Sequence, residues 1–161
     1  VGATWSAGAV LAGEGVAVRA MHEGDLAAVS SIYASHVGAP PPESFSARVR
    51  RLFDEPQTSV ALVAEFRGQR IGYVVAEVRS WEFGSPPAGW VFGVSVSRDH
   101  AGRGVARALL DSAVRRLRGL GAHGLRTMVA NDDVAMLRLF RSAGFVAGPY
   151  TELELTPEGD A

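Results

Sequence analysis

The chain has 161 residues, 47% hydrophobic and 20% charged, proportions that suit one globular domain around a single core. Sixteen basic residues against 17 acidic ones give a formal net charge of -1, so there is no cationic excess for non-specific binding to nucleic acid. Cysteine is absent, which excludes disulfides, thiolate metal sites and a cysteine nucleophile, and no apolar run approaches the roughly 20 residues a membrane helix needs.

Residues 1–15 are rich in Gly and Ala without a basic stretch; they are expected to be a loosely ordered tail rather than a signal peptide, with one domain over 16–161. Val16 to Arg19 alternates well enough for a short edge strand. Asp25 is a good N-cap for a helix to about His36, with Leu26, Val29, Ile32 and Tyr33 on one face. Pro40, Pro41 and Pro42 break the chain, and Ser44 is placed to cap a second helix carrying Phe45, Val49, Leu52 and Phe53. The period then shortens. Thr58–Phe66 and Arg70–Arg79 are β-branched runs separated by Arg67-Gly68-Gln69, the pattern of a hairpin. Trp81–Gly89, with two Pro and two Gly, predicts a loop, and Trp90–Val96 a third strand. Val105, Leu109, Ala113, Leu117 and Leu120 form one stripe of a helix ending near Gly121. Leu125–Ala130 predicts a strand, Asp132 or Asp133 the cap of a helix that Gly144 ends, and Tyr150–Leu155 a last strand. The fold class is α/β (α+β): a mixed, mostly antiparallel sheet with helices on both faces.

The segment Val94–Leu110 is a strand, a glycine turn and a helix start. Gly102 and Gly104 let the backbone curl, so that the N–H groups of Arg103 to Ala106 point into one concavity at a helix N-terminus. Those donors and the helix dipole suit a cluster of anionic oxygens such as a pyrophosphate, and Arg103 can add a cation. Taken alone, such a turn is as often a plain tight turn without a ligand. No Gly-Lys-Ser/Thr is present for a P-loop, and the turn follows an antiparallel meander rather than the first strand of a βαβ unit.

In this context the turn resembles the pyrophosphate loop of the GNAT superfamily of N-acetyltransferases, Gln/Arg-x-x-Gly-x-Gly/Ala. Gly104 and Ala106 match its last two small positions, while Ala101 stands where a Gln or Arg is usual. Asp133 to Phe145 is similar to the family's closing helix, Asn-x-x-Ala-x-x-Leu-Tyr-x-x-x-Gly-Phe, with Asp133 for the Asn and Phe140 for the Tyr. The resemblance runs from Val16 to Leu155. It implies the GNAT fold with six to seven strands, acetyl-CoA as donor without a metal, and transfer to a primary amine of a small molecule, a protein lysine or an N-terminus. It also implies a cofactor site of Val94, Ser95, Val96, Gly102, Arg103, Gly104, Val105, Ala106, Asp133 and Phe140. Trp81-x-Phe83-Gly84, Asp132-Asp133 and Glu152-Leu153-Glu154-Leu155 further resemble a bacterial branch of protein-lysine acetyltransferases.

Acyl transfer needs a base for the amine and a donor for the oxyanion. Glu77 and Glu82 are the candidate bases, with His100 or a water chain as alternatives; a backbone N–H of Val94 or Val96 suits the oxyanion. Phe140 has no hydroxyl to protonate the departing sulfur, so water takes that part. Tyr33, Trp81 and Phe83 are candidate acceptor contacts, together with Trp90, whose plainer role is packing. Arg48, Arg50 and Arg51 read first as a solvated helix face, and second as contacts to an acidic acceptor or a coenzyme phosphate. A non-catalytic acyl-CoA sensor or interaction module is the competing function. The expected setting is the cytoplasm, without membrane or nucleic-acid partners, with a homodimer formed through the last strand's edge as a further expectation.

Overall fold

A computed structural model describes residues 9–10, 15–80 and 84–155. In chain order these form β1 (Ala9–Val10), β2 (Val16–Ala20), α1 (Leu26–Val37), α2 (Glu43–Asp54), β3 (Ser59–Phe66), β4 (Gln69–Arg79), β5 (Ala88–Val96), α3 (Val105–Gly119), β6 (Gly124–Arg126) and α4 (Val134–Ser142). The strands lie in sequence order in one open sheet. All neighbours are antiparallel except β5 and β6, which run parallel because α3 carries the chain back across the sheet.

Strand alternation sends apolar residues to both faces, and helices cover each. Val63, Tyr73 and Val75 pack with Val29 and Ile32 of α1 and Val49 and Leu52 of α2. Leu62, Val74, Val91, Val94 and Val96 pack on the other side against Leu109, Ala113 and Leu117 of α3 and Phe140 of α4. Gly93 permits close packing within the sheet: a methyl group there would stand 2.8 Å from Cγ2 of Val75, a fully buried β-branched side chain. Gly93→Ala is therefore expected to destabilise the fold by about 1–3 kcal/mol, and an unchanged urea midpoint would contradict that packing.

The hairpin turn is shorter than expected. Arg67 (φ 49°) and Gly68 (φ 79°) make it alone, because two left-handed residues match the twist of the flanking strands. Two expected caps are corrected. Asp25 stands at the N-cap of α1 but gives its side chain no capping bond, since its carboxylate is engaged by Arg19 and Arg70. α2 begins at Glu43 after Pro42, so Ser44 lies within its first turn. At the far end, Asp133 does cap α4, accepting from the Met136 N–H at 3.0 Å.

The sheet is narrower than six to seven full strands. Among the described residues five strands have three or more residues, and six are reached only by counting the two-residue pairing of Ala9–Val10 outside Val16–Ala20. Expected strand Leu125–Ala130 shrinks to Gly124–Arg126, and Tyr150–Leu155 forms none. Alternation makes a strand only where a neighbour offers its edge, and Leu153 and Leu155 are 91% and 95% exposed. Pairing of copies through that segment has no formed strand to use. Among the described residues no helix is long and apolar enough to cross a membrane.

Candidate active site

The two edges of β5 differ. Toward β4 its register runs from Gly72↔Val96 to Val75↔Gly93, then shifts, leaving Phe92 as a bulge before Ala76↔Val91. The Ser97 N–H donates to the Ile71 carbonyl at 2.7 Å. Bonded and non-bonded pairs alternate along an antiparallel ladder, so the main-chain groups of Val94 and Val96 point away from β4. On that far side β6 pairs only with Ala88–Trp90. The Thr127 hydroxyl then takes the Val91 carbonyl at 2.9 Å, and the following residues leave the ladder. A wedge opens there, with the polar groups of Val94 and Val96 along one wall. His36, at the end of α1, donates from Nε2 to the Val96 carbonyl.

This wall leads directly into the glycine turn. After one 3-10 turn at Arg98–His100, Gly102 (φ 74°) and Gly104 (φ 78°) take left-handed conformations. Nothing lies within 4 Å of a Cβ added at Gly102, so backbone conformation rather than space calls for glycine there. The N-cap of α3 is Gly104, which has no side chain to cap the first-turn N–H groups, and residues 101–104 are exposed. The approach is braced by a Ser97 Oγ–His100 Nδ1 hydrogen bond of 3.0 Å and by edge packing of His100 on Phe66. That is what the structure shows His100 doing.

Glu77 lies on the sheet face covered by α1 and α2, directly opposite Ser59 on one side and Trp90 on the other. Its Oε1 accepts from Arg48 Nη2 and from Arg79 Nε, each at 2.7 Å. The Arg48 guanidinium also sits 4.0 Å from the ring centroid of Phe92, the bulge residue. Tyr33 packs on Phe45 with ring centroids 5.1 Å apart, and Phe45 in turn meets Tyr73. Burial, and then the neighbouring Tyr33, push the Tyr73 hydroxyl up to about 12, so it stays protonated. Phe140 is buried and packs edge-on against Phe145. Trp81, Glu82 and Phe83 lie outside the described residues. Among those described, no three His, Asp or Glu side chains are grouped as metal ligands would be.

Two of these contacts were missed or ranked low in the sequence. Arg48 is not simply a solvated residue: it falls at the i, i+3, i+4, i+7 spacing of Phe45, Val49 and Leu52, on the inward stripe. His36 occupies the same kind of position after Val29, Ile32 and Tyr33. A charged or titratable residue inside an apolar stripe was the available signal.

The profile of the acetyltransferase (GNAT) family matches residues 26–145, three quarters of the chain. The chain belongs to that family. An L-2,4-diaminobutyric acid acetyltransferase of Nocardia farcinica (strain IFM 10152) is 33% identical over 87 residues, which are 54% of this chain and 42% of that relative. The matched stretch thus spans less than half of the relative's length. Among solved structures, the aminoglycoside N-acetyltransferase AAC(6')-Iy in complex with CoA superposes with a TM-score of 0.77 at 18% identity, covering 90% of this chain and 97% of that one. A ribosomal-protein-alanine N-acetyltransferase from Brucella melitensis biovar Abortus 2308 gives 0.70 at 22%, covering 88% and 98%. At these identities the two structures speak for a shared fold. The GNAT sheet, with its wedge beside β5 and the glycine N-cap of α3, is therefore the frame in which the chemistry is read.

Proposed function

We propose that this GNAT protein transfers an acetyl group from acetyl-CoA to a primary amine. The observation that carries the reading is the edge of β5 at Val94 and Val96, beyond the reach of β6 and held only by His36 at the Val96 carbonyl, running straight into the glycine N-cap of α3. A pantetheine arm offers amides that can pair with such an edge, and a pyrophosphate suits the N–H groups of Arg103, Gly104, Val105 and Ala106, with the Arg103 side chain beside them. The relative's diaminobutyrate and the aminoglycoside and ribosomal-protein neighbours' acceptors share one chemical feature, an acylatable amine. Acetyl-CoA on that edge brings its thioester carbonyl toward the N–H of Val94, which serves as oxyanion donor.

In this reading the amine must first lose a proton, and Glu77 takes it through Oε2, since Oε1 already holds both arginines. The neutral amine nitrogen then attacks the carbonyl carbon, and the proton left in excess on that nitrogen passes to solvent as the adduct collapses. As the new N–C bond persists and the C–S bond breaks, coenzyme A leaves as a thiolate. Water protonates it, because Phe140 offers no hydroxyl. Ser95 and Asp133 act by position: the first holds the strand between the two pairing residues, the second fixes the start of α4. The commitment of Glu77 Oε1 to two guanidiniums is the one observation favouring a non-catalytic acyl-CoA sensor instead.

Coenzyme A at about 100 times its Kd is expected to raise the melting temperature by roughly 5–10 °C. Acetyl-CoA with a panel of amines is expected to release thiol above background. Glu77→Gln should lower kcat by about 100-fold or more while preserving the coenzyme-induced shift. Wild-type turnover in that variant would remove Glu77 as the base; a shift without thiol release for any amine would establish the sensor.

A further inference from the structure

Polar side-chain atoms sealed from solvent without a hydrogen-bond partner are rare in native proteins, and each calls for an explanation. Here Arg48 Nε, Ser59 Oγ and Trp90 Nε1 are all in that state, and all belong to side chains around Glu77. Ser59 and Trp90 are its direct cross-strand partners, and Arg48 is hydrogen-bonded to it. Each of the three atoms carries a hydrogen to donate. What is missing beside them is therefore an acceptor of hydrogen bonds. An open cavity of about 360 Å³, lined by Ala61, Leu52, Phe53, Glu23 and Arg116 among others, touches the cluster at Ser59.

We propose that this cluster is the acceptor subsite, and that the acceptor is a compact amine that also carries a carboxylate. The proposal rests on the acetyl-transfer reading above and specifies its substrate class. Arg48 Nε, the Ser59 hydroxyl and the Trp90 indole N–H supply the donors for the carboxylate, while Oε2 of Glu77 faces the amine. The side chains of Arg48 and Arg79 are 32% and 33% exposed, so the cluster borders solvent.

The test compares matched acceptors with acetyl-CoA: lysine against cadaverine, ornithine against putrescine, diaminobutyrate against diaminopropane. Each carboxylate-bearing member is expected to exceed its decarboxylated partner by about 100-fold in kcat/KM, mostly through KM. Arg48→Ala should bring that ratio close to one, and Arg48→Lys should restore it only in part, because an ammonium lacks the guanidinium's fixed fork. Ser59→Ala, which removes a hydroxyl without a protein partner, should narrow the ratio several-fold with an unchanged melting temperature, so a folding failure of the arginine variants does not decide the matter. Turnover of both members at equal rates, or a ratio insensitive to Ser59→Ala and both arginine variants, overturns the subsite while leaving acetyl transfer intact. Thiol release with none of these amines, alongside a normal coenzyme-induced stabilisation, overturns the transfer reading itself and the subsite with it.

Discussion

Replacing Gly104 by glutamate is expected to abolish coenzyme A binding while leaving the fold in place. Two effects act together. At φ 78° any residue with a Cβ is strained, at a cost of about 1–2 kcal/mol, and the new carboxylate stands among the first-turn donors of α3, where a pyrophosphate is to sit. Opposing like charges costs several kcal/mol, so affinity should fall by roughly 1,000-fold or more. Gly104→Ala carries the strain without the charge and separates the two. Isothermal titration with coenzyme A measures the loss, and circular dichroism checks the fold. An unchanged affinity in the glutamate variant would remove the turn from the cofactor site.

The largest expected loss of stability lies elsewhere, at Asp25. Its carboxylate is fully buried and accepts from Arg19 at 2.7 and 2.9 Å, from Arg70 at 2.7 Å and from the His22 N–H at 3.0 Å. Three elements meet there, since Arg19 lies on β2, Arg70 on β4 and Asp25 at the start of α1; Arg19 also holds Glu65 of β3 at 3.0 Å. Asp25→Ala leaves both arginines without this partner. A broken buried pair costs 3–5 kcal/mol, and the low end applies because the two arginines keep 23% and 32% of their side-chain surface exposed. A loss of about 3 kcal/mol, or roughly 6–12 °C in Tm, is expected in thermal unfolding.

The same group sets an acid limit. Burial raises its pKa, but the hydrogen bonds from Arg19, then Arg70 and the His22 N–H, outweigh burial and hold the carboxyl well below the usual carboxylate range. A depressed folded-state value means the stabilisation is complete above the ordinary value of about 3.9 and is withdrawn as the pH falls from there through the folded one. Unfolding free energy should therefore decline steadily below about pH 4, and Asp25→Asn should flatten that decline. An equally steep decline in the variant would place the acid sensitivity in other carboxylates.

Much of the fold was legible because its signals are local and periodic. The stripe Val105, Leu109, Ala113, Leu117 marks α3, and β-branched alternation either side of Arg67-Gly68 marks the β3–β4 hairpin. Failures came where tertiary partners decide. Glu152 to Leu155 alternates like a strand yet has no sheet edge to join, and Asp25 looks like a helix cap until arginines 6 and 45 residues away claim its carboxylate. The glycine turn was visible because its chemistry lies in consecutive residues. The cluster around Glu77 was not, for it joins α2, β3, β4 and β5 through side chains up to 42 residues apart in number, from Arg48 to Trp90. Only register reveals that Ser59, Glu77 and Trp90 share a row.

A crystal structure with coenzyme A bound tests the central claim most directly. The expected result has the pantetheine arm hydrogen-bonded to the main chain of Val94 and Val96, His36 withdrawn from the Val96 carbonyl, and pyrophosphate oxygens within hydrogen-bonding distance of the N–H groups of Arg103 to Ala106. Coenzyme A seated elsewhere, with the His36–Val96 bond intact and the start of α3 empty, would contradict it.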